Sequence, residues 1–225
     1  MLCIFSSISY AQGEIDEETK VLFRDEFTVF IGVNTNGLAS GARYAIHKDR
    51  LHKSFYEVQF FSLHHPKEIK LASPTGRMVY GKMNDAFSLV LSAGNQKELY
   101  SKLDKGSVAI SRIFDGGFAL GFEKPVYYYI EYPDVIERFN SSNHAKYGKA
   151  PFTQGLGETK LIPGVFAKTC LQFEYSKEDK EIRALEIGLN VHAYMRKIQI
   201  MFSDDNSWFY PSIYINYRFG GLLKP

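Results

Sequence analysis

GSVAISRIFDGGFALGFEK, residues 106–124, holds a two-residue alternation far longer than an ordinary strand. Val108, Ile110, Phe114, Phe118, Leu120 and Phe122 fall on one side. Ser107, Ala109, Ser111, Asp115, Gly117, Ala119, Gly121 and Glu123 fall on the other, with Ile113 the one bulky exception. Successive side chains of a strand point to opposite faces, so the segment is a ribbon with a bulky apolar face and a small or polar one. Strands of soluble proteins usually run about 5–6 residues. A membrane-spanning barrel strand needs roughly 9–11 tilted residues with apolar-out, polar-in alternation. The segment therefore reads as a strand long enough to cross a bilayer.

Seven further segments alternate in the same way: Glu26–Asn34, Leu38–Lys48, Ser54–His64, Asp85–Asn95, Leu161–Tyr175, Glu181–Met195 and Trp208–Phe219. The long segment itself has room to extend through Val126–Tyr132, with Pro125 marking a rim or bulge because it cannot donate to a ladder. Every second connection is short: Asp49–Lys53, Gln96–Lys105 and Ser176–Lys180. Three of the others are long: His65–Met83, Pro133–Glu158 and Arg196–Ser207. Short turns on one side and long loops on the other are the habit of outer-membrane barrels with an even strand number. The expected fold is all-β, an eight-stranded antiparallel up-and-down transmembrane β-barrel.

Composition agrees. Fifteen Tyr and eighteen Phe in 225 residues favour β-structure. No run of about 18 apolar residues is present, so a bilayer crossing by helix is excluded and a crossing by strands requires a closed barrel. A net charge of +2 carries no nucleic-acid footprint. The two cysteines, Cys3 and Cys170, predict no disulfide in a chain trimmed at its N-terminus, and Cys170 reads as a packed small residue. MLCIFSSISYAQG reads as a truncated signal peptide over residues 1–11, with Ser9-Tyr10-Ala11 a small-x-small site before Gln12; the alternative is a buried N-terminal strand. Residues 12–25 read as a charged lead-in, 26–219 as the barrel and 220–225 as a tail.

Alternation alone does not say which face is inside, and a lipocalin-like carrier would bury the apolar one. The second face decides for the membrane. It is rich in Gly, Ala and Ser, poor choices for a solvated strand but suited to the narrow interior of an eight-stranded barrel. It also carries Arg43, Glu57, Lys168, Glu174, Glu186 and Arg218, both signs together, able to pair in a closed lumen. Arg112 dissents: it falls on the lipid side, where a midplane position would cost roughly 2–4 kcal/mol. It is expected at a boundary or bulge.

Several stretches then carry a resemblance: FIGVNTNG (Phe30–Gly37), HHPKEIK (His64–Lys70), YGKMNDAFSLVLSAGNQK (Tyr80–Lys97) and DGGFALGFEKPVYY (Asp115–Tyr128). With them the chain resembles the small outer-membrane β-barrel proteins of the Bacteroidota. The resemblance implies a place in the outer membrane, among lipid and lipopolysaccharide, and implies no catalytic residue. IYINYRF (Ile213–Phe219) looks like the aromatic-ended strand that barrel-assembly machinery recognises, although GGLLKP follows it.

Two constellations could carry chemistry. His64 and His65, where the third strand meets an external loop, could supply a general base to a lipid A or phospholipid acyl hydrolase, with Ser62, Ser73 or Thr75 as nucleophile. Adjacent residues of a strand face opposite ways, which argues against one metal ion held by both; a wet basic rim is the simpler reading. Glu186, Asn190 and His192 share the inner face of the seventh segment and, with Lys168 and Glu174, could form a ligand site or proton relay. A self-satisfying polar network that plugs the lumen is the simpler reading, and no wide pore is expected. Tyr127, Tyr128, Tyr129, Tyr132, Trp208 and Tyr210 read as an aromatic girdle. Gly155-x-Gly157 lacks the strand-to-helix setting of a nucleotide loop, and neither cofactor nor metal is expected. The function read from the sequence is a structural or accessory barrel whose long external loops, Pro133–Glu158 above all, contact a partner or ligand.

Overall fold

The computed structural model describes residues 24–73, 76–102, 106–131, 135–139, 148–177, 180–202 and 205–223. The signal-peptide reading, and most of the lead-in, lie outside them. In chain order the strands are β1 (Glu26–Asn34), β2 (Gly37–His47), β3 (His52–Leu63), β4 (Lys70–Ser73), β5 (Gly76–Val79), β6 (Asn84–Tyr100), β7 (Ala109–Pro125), β8 (Tyr127–Glu131), β9 (Val135–Arg138), β10 (Gly148–Lys149), β11 (Lys160–Glu174), β12 (Glu181–Tyr194) and β13 (Phe209–Leu222). Eight of them close into a barrel in the order β1-β13-β12-β11-β7-β6-β3-β2. Every barrel pair is antiparallel and each strand neighbours the next in the chain. Closure runs from Glu26↔Leu222 to Asn34↔Tyr214, so the barrel sheet has no open edge.

The connections segregate as expected. Lys48–Leu51 and the links after β6 and β11 lie at a short-turn end, and the segments between β3 and β6, β7 and β11, and β12 and β13 lie at a long-loop end. The tight turn at Thr35-Asn36 also lies there. Gly37 closes it with φ 146, and a Cβ at that position would sit 2.1 Å from the Ser62 carbonyl oxygen, so only glycine fits.

Three expectations change. After Pro125 the chain leaves the barrel: β8 pairs with β9 and β10 in a small separate sheet, so Val126–Glu131 does not extend the long strand. β13 runs to Leu222, three residues beyond Phe219, so the barrel takes in part of what reads as a tail. β6 runs to Tyr100 rather than Asn95, because β7 offers it partners as far as Ile110. The loop after β3 also holds a β4–β5 hairpin, which has no alternation long enough to announce it.

The orientation is the one the small-residue argument requires. Phe118, Ile187 and Ile215 are 79%, 41% and 46% exposed, whereas Lys168 and Glu186 are 4% and 0% exposed. Small inner residues make room for the few bulky ones pointing inward. A Cβ on Gly41 would meet the Phe30 ring at 2.6 Å, and one on Gly94 would meet the Phe55 ring at 2.6 Å. Ile113, out of pattern in the sequence, is fully buried with Ala45, Phe55, Cys170 and Tyr214 in an inner cluster near the short-turn end. Arg112 is exposed and lies three residues from the start of β7, near the short-turn end rather than in the middle of the strand.

Candidate functional site

Six barrel strands each send one ionised side chain to the middle of the lumen: Arg43 from β2, Glu57 from β3, Asp115 from β7, Lys168 from β11, Glu186 from β12 and Arg218 from β13. The cations and carboxylates match one for one, and all are buried. Arg43 pairs with Glu57, and its Nη2 lies 3.1 Å from Glu186 Oε1. Arg218 donates from Nε to Glu186 Oε1 at 2.7 Å and from Nη2 to Glu57 Oε2 at 3.0 Å. Lys168 Nζ reaches Glu57 Oε1 at 2.7 Å and Asp115 Oδ2 at 3.0 Å. Neutral donors and acceptors fill in: Arg218 Nη1 donates to Thr28 Oγ1 at 3.1 Å, and Arg43 Nη1 to Gln172 Oε1 at 3.5 Å. Phe30 and Phe55 lie beside the guanidinium groups, with Arg218 Cζ 5.0 Å from the first ring centroid and Arg43 Cζ 4.0 Å from the second.

Burying an unpaired charge costs several kcal/mol, so this cluster exists only because every member has a counter-ion. It ties six strands to one another at a single level. A register slip of one residue would turn a charge toward the apolar face, so the network also fixes strand register. All six side chains are buried in an interior of the kind that, in eight-stranded barrels, is only just wide enough for side chains to fill.

Of the residues singled out from the sequence, Arg43, Glu57, Lys168, Glu186 and Arg218 meet here. Glu174 does not. It sits at the short-turn end, where Lys102 Nζ donates to it at 2.8 Å and Ser176 Oγ at 2.8 Å, because its strand has carried it beyond the barrel's middle. Asn190 and His192 point inward but toward the long-loop end. His192 lies among aromatic rings, 4.6 Å from Phe61 and 4.8 Å from Phe166 between centroids, and its nearest polar partner is the Tyr194 hydroxyl at 3.4 Å. No carboxylate adjoins it among the described residues, so the proton relay through Glu186, His192 and Glu174 is not assembled. Asp115, Gln172 and Thr28 complete the network instead. Asp115 was legible as an inward residue of the long strand; its pairing with Lys168 depends on the β7–β11 register.

Above the charges lies an apolar stopper. Phe30, Phe61, Phe166, Tyr194 and Tyr210 pack with Ile198 and Ile200, which the loop between β12 and β13 folds into the mouth with no exposed surface. Ion pairs ring this stopper: Lys82 with Glu68 at 2.9 Å, Lys149 with Asp85 at 2.8 Å, and Arg196 with Glu123 at 2.8 Å. The girdle reading is corrected for two residues: Tyr210 points into the lumen, and Tyr128 is buried in the loop sheet, where its hydroxyl donates to the Lys82 carbonyl at 2.9 Å. Burial pushes the Tyr128 hydroxyl above its ordinary pKa. Tyr132 lies outside the described residues. The outward aromatics are instead Phe27, Tyr44, Tyr56, Phe60, Phe114 and Phe118, among others.

His64 is exposed at the end of β3 and His65 is buried beside it. Both His65 nitrogens are engaged with backbone: Nδ1 accepts from the Lys67 N–H at 3.1 Å and Nε2 lies 3.3 Å from the Asp205 carbonyl oxygen. His65 thereby joins two loops, reinforced by the Lys67–Asp205 ion pair, which holds the Asp205 carboxyl below its ordinary pKa. Ser62 Oγ accepts from the Leu38 N–H at 2.9 Å, so it is committed elsewhere. Thr75 and the Ser73 side chain lie outside the described residues. No group of three or more metal-ligating side chains is present among the described residues.

No protein-family profile matches the chain, and no curated protein matches it. Among solved structures it is similar to the N-terminal β-barrel domain of Pseudomonas aeruginosa OprF, with a TM-score of 0.40 and 6% identity over 88% of this chain and 99% of that one. It is also similar to Neisserial surface protein A (NspA), with a TM-score of 0.38 and 7% identity over 89% of this chain and 97% of that one. The hydrogen-bonded ladder described above, rather than these likenesses, establishes the chain as a closed eight-stranded antiparallel β-barrel.

Proposed function

We propose that the protein is an integral barrel of a bacterial outer membrane with a structural or accessory role, sealed along its axis and presenting its long loops to the exterior. The observation that carries this reading is the inversion of polarity. The outer wall is paved with exposed Ile31, Val33, Leu38, Leu91, Phe118 and Leu189, while the charges lie inside. In water such a wall would far exceed the apolar patches a soluble monomer exposes; in hydrocarbon it is the favourable arrangement. The resemblance to the small barrels of the Bacteroidota belongs to the same reading and rests on the quoted sequence stretches. The long-loop end would face outward, meeting lipopolysaccharide and a protein or other ligand through residues 126–159, and barrel-assembly machinery would insert the chain.

The test is expression in a Gram-negative host, with membrane fractionation, gel mobility with and without boiling, and protease added to intact cells. The expected result is an outer-membrane band that shifts on heating, cut in the long loops and spared at Lys48–Leu51. A soluble, non-shifting protein, or cuts confined to Lys48–Leu51, would overturn the reading. Planar-bilayer recordings should find no steady conductance, given the matched charges and the aromatic stopper.

A further inference from the structure

Outside the lumen, one place on the barrel wall breaks its own pattern. Across β3, β6 and β7 the strand register places His52, Lys97 and Arg112 side by side on the outer face at the short-turn end. His52 has Asp49, whose Oδ1 lies 2.9 Å from its Nδ1. Lys97 and Arg112 are exposed and meet no carboxylate among the described residues, although they are directly opposed across the ladder. Like charges so placed repel, and the pair is tolerable only where an anion or water screens it.

The next row of the outer face holds Ser54 and Asn95, bonded Oγ to Oδ1 at 2.8 Å, with the Phe114 ring opposite Asn95 and beside Arg112. The row beyond holds Tyr56, Ala93, Gly116 and Ala167. There the wall sinks into an apolar groove floored by Ala93 and Gly116 and walled by Tyr56, Leu91 and Phe118. A Cβ on Gly116 would meet nothing closer than 3.5 Å, so the glycine leaves real space. Lys97 and Ala93 are four residues apart on β6, roughly 13 Å along the strand. From the rim inward the order is a cationic pair, a small polar step and an apolar trough.

We propose that this column is a binding site for one anionic glycerophospholipid of the inner leaflet. Its phosphate lies between Lys97 and Arg112, its glycerol region beside Ser54 and Asn95, and an acyl chain in the groove over Gly116. The proposal rests on the membrane reading above and adds to it a single, headgroup-selective site. Charge complementarity selects the occupant: a second copy of the chain would bring its own Lys97 and Arg112 toward these.

Native mass spectrometry of the full chain refolded in detergent tests it, with dioleoyl phosphatidylglycerol titrated against dioleoyl phosphatidylcholine. One phosphatidylglycerol should be retained in preference to phosphatidylcholine. A basic residue near a membrane surface contributes about 1 kcal/mol toward anionic lipid, roughly fivefold in affinity. Lys97→Gln and Arg112→Gln together should therefore weaken phosphatidylglycerol about 25-fold and erase the preference. Gly116→Leu should weaken both lipids alike, and Leu189→Ala, on β12, should change neither. Equal retention of the two lipids by the unaltered chain, unchanged binding in the double variant, or a dimer abolished by Gly116→Leu would overturn the site. Heat-shifted mobility of the same samples separates the two levels: a barrel that forms and enters liposomes without lipid preference removes only this site, whereas failure to enter liposomes removes the membrane reading itself.

Discussion

Arg218 and Arg112 both project from barrel strands, and their surroundings differ completely. Arg218 is buried, with Glu186 and Glu57 at 2.7 and 3.0 Å and Thr28 alongside. Arg112 stands on the outer wall with the Phe114 ring 4.9 Å away and no carboxylate among the described residues. Within the lumen the chain itself supplies a counter-charge to each of the six ionised side chains. On the rim, Arg112 is exposed, with the Phe114 ring beside it. The same residue type thus fixes register in one place and is left open to the surroundings in the other.

The sharpest way to break this comparison is to unbalance the lumen. Glu186→Gln removes a carboxylate that serves Arg43 and Arg218 together, and breaking a buried pair costs about 3–5 kcal/mol. Urea unfolding followed by the heat-shifted band should show a loss of that size. Adding Arg218→Met should lessen the second cost, giving a coupling energy well away from zero. Independent losses that simply add would mean that the network is a row of separate pairs.

Moving a charge along the outer wall comes next in size. Phe118→Arg sets a cation in the middle of the apolar belt and should cost about 2–4 kcal/mol in a bilayer. Arg112→Leu, at the boundary, should change stability little. Equal effects would contradict the depth assigned to either residue.

The smallest effect belongs to the turn between β2 and β3. The Asp49 carboxylate accepts from the Leu51 and His52 backbone N–H groups, both at 2.9 Å, and these bonds, with the His52 ring, hold its pKa below the ordinary value. A depressed carboxylate contributes stability above its unfolded pKa, near 3.9, and loses it as pH falls. Asp49→Ala should lower the unfolding midpoint slightly at neutral pH, and the difference from the parent should vanish in strong acid. A difference that persists there would mean the side chain acts through packing instead.

Much of this molecule is legible in its sequence because period two is a local property. The eight segments, the inward face and the alternation of short and long connections all follow from which residues are bulky and which are small. The inward positions of Arg43, Glu57, Lys168, Glu186 and Arg218 follow from parity alone. Glu174 shares that parity yet lies outside the network, since parity fixes a face and not a height. His65 reads as a general base in isolation, and only the approach of Asp205 from a distant loop shows both its nitrogens occupied. The branching of Val126–Glu131 away from the barrel was hidden because a tyrosine-rich strand looks alike in either sheet.

Sequence by itself determined the strand number and the polarity of the two faces, because each depends on side-chain chemistry repeated along one strand. Tertiary structure decided which charges meet, how the loop isoleucines pack against the inner aromatics, and that Lys97 stands opposite Arg112 beside a groove. Those are relations between strands, set by register and closure, and no single strand contains them.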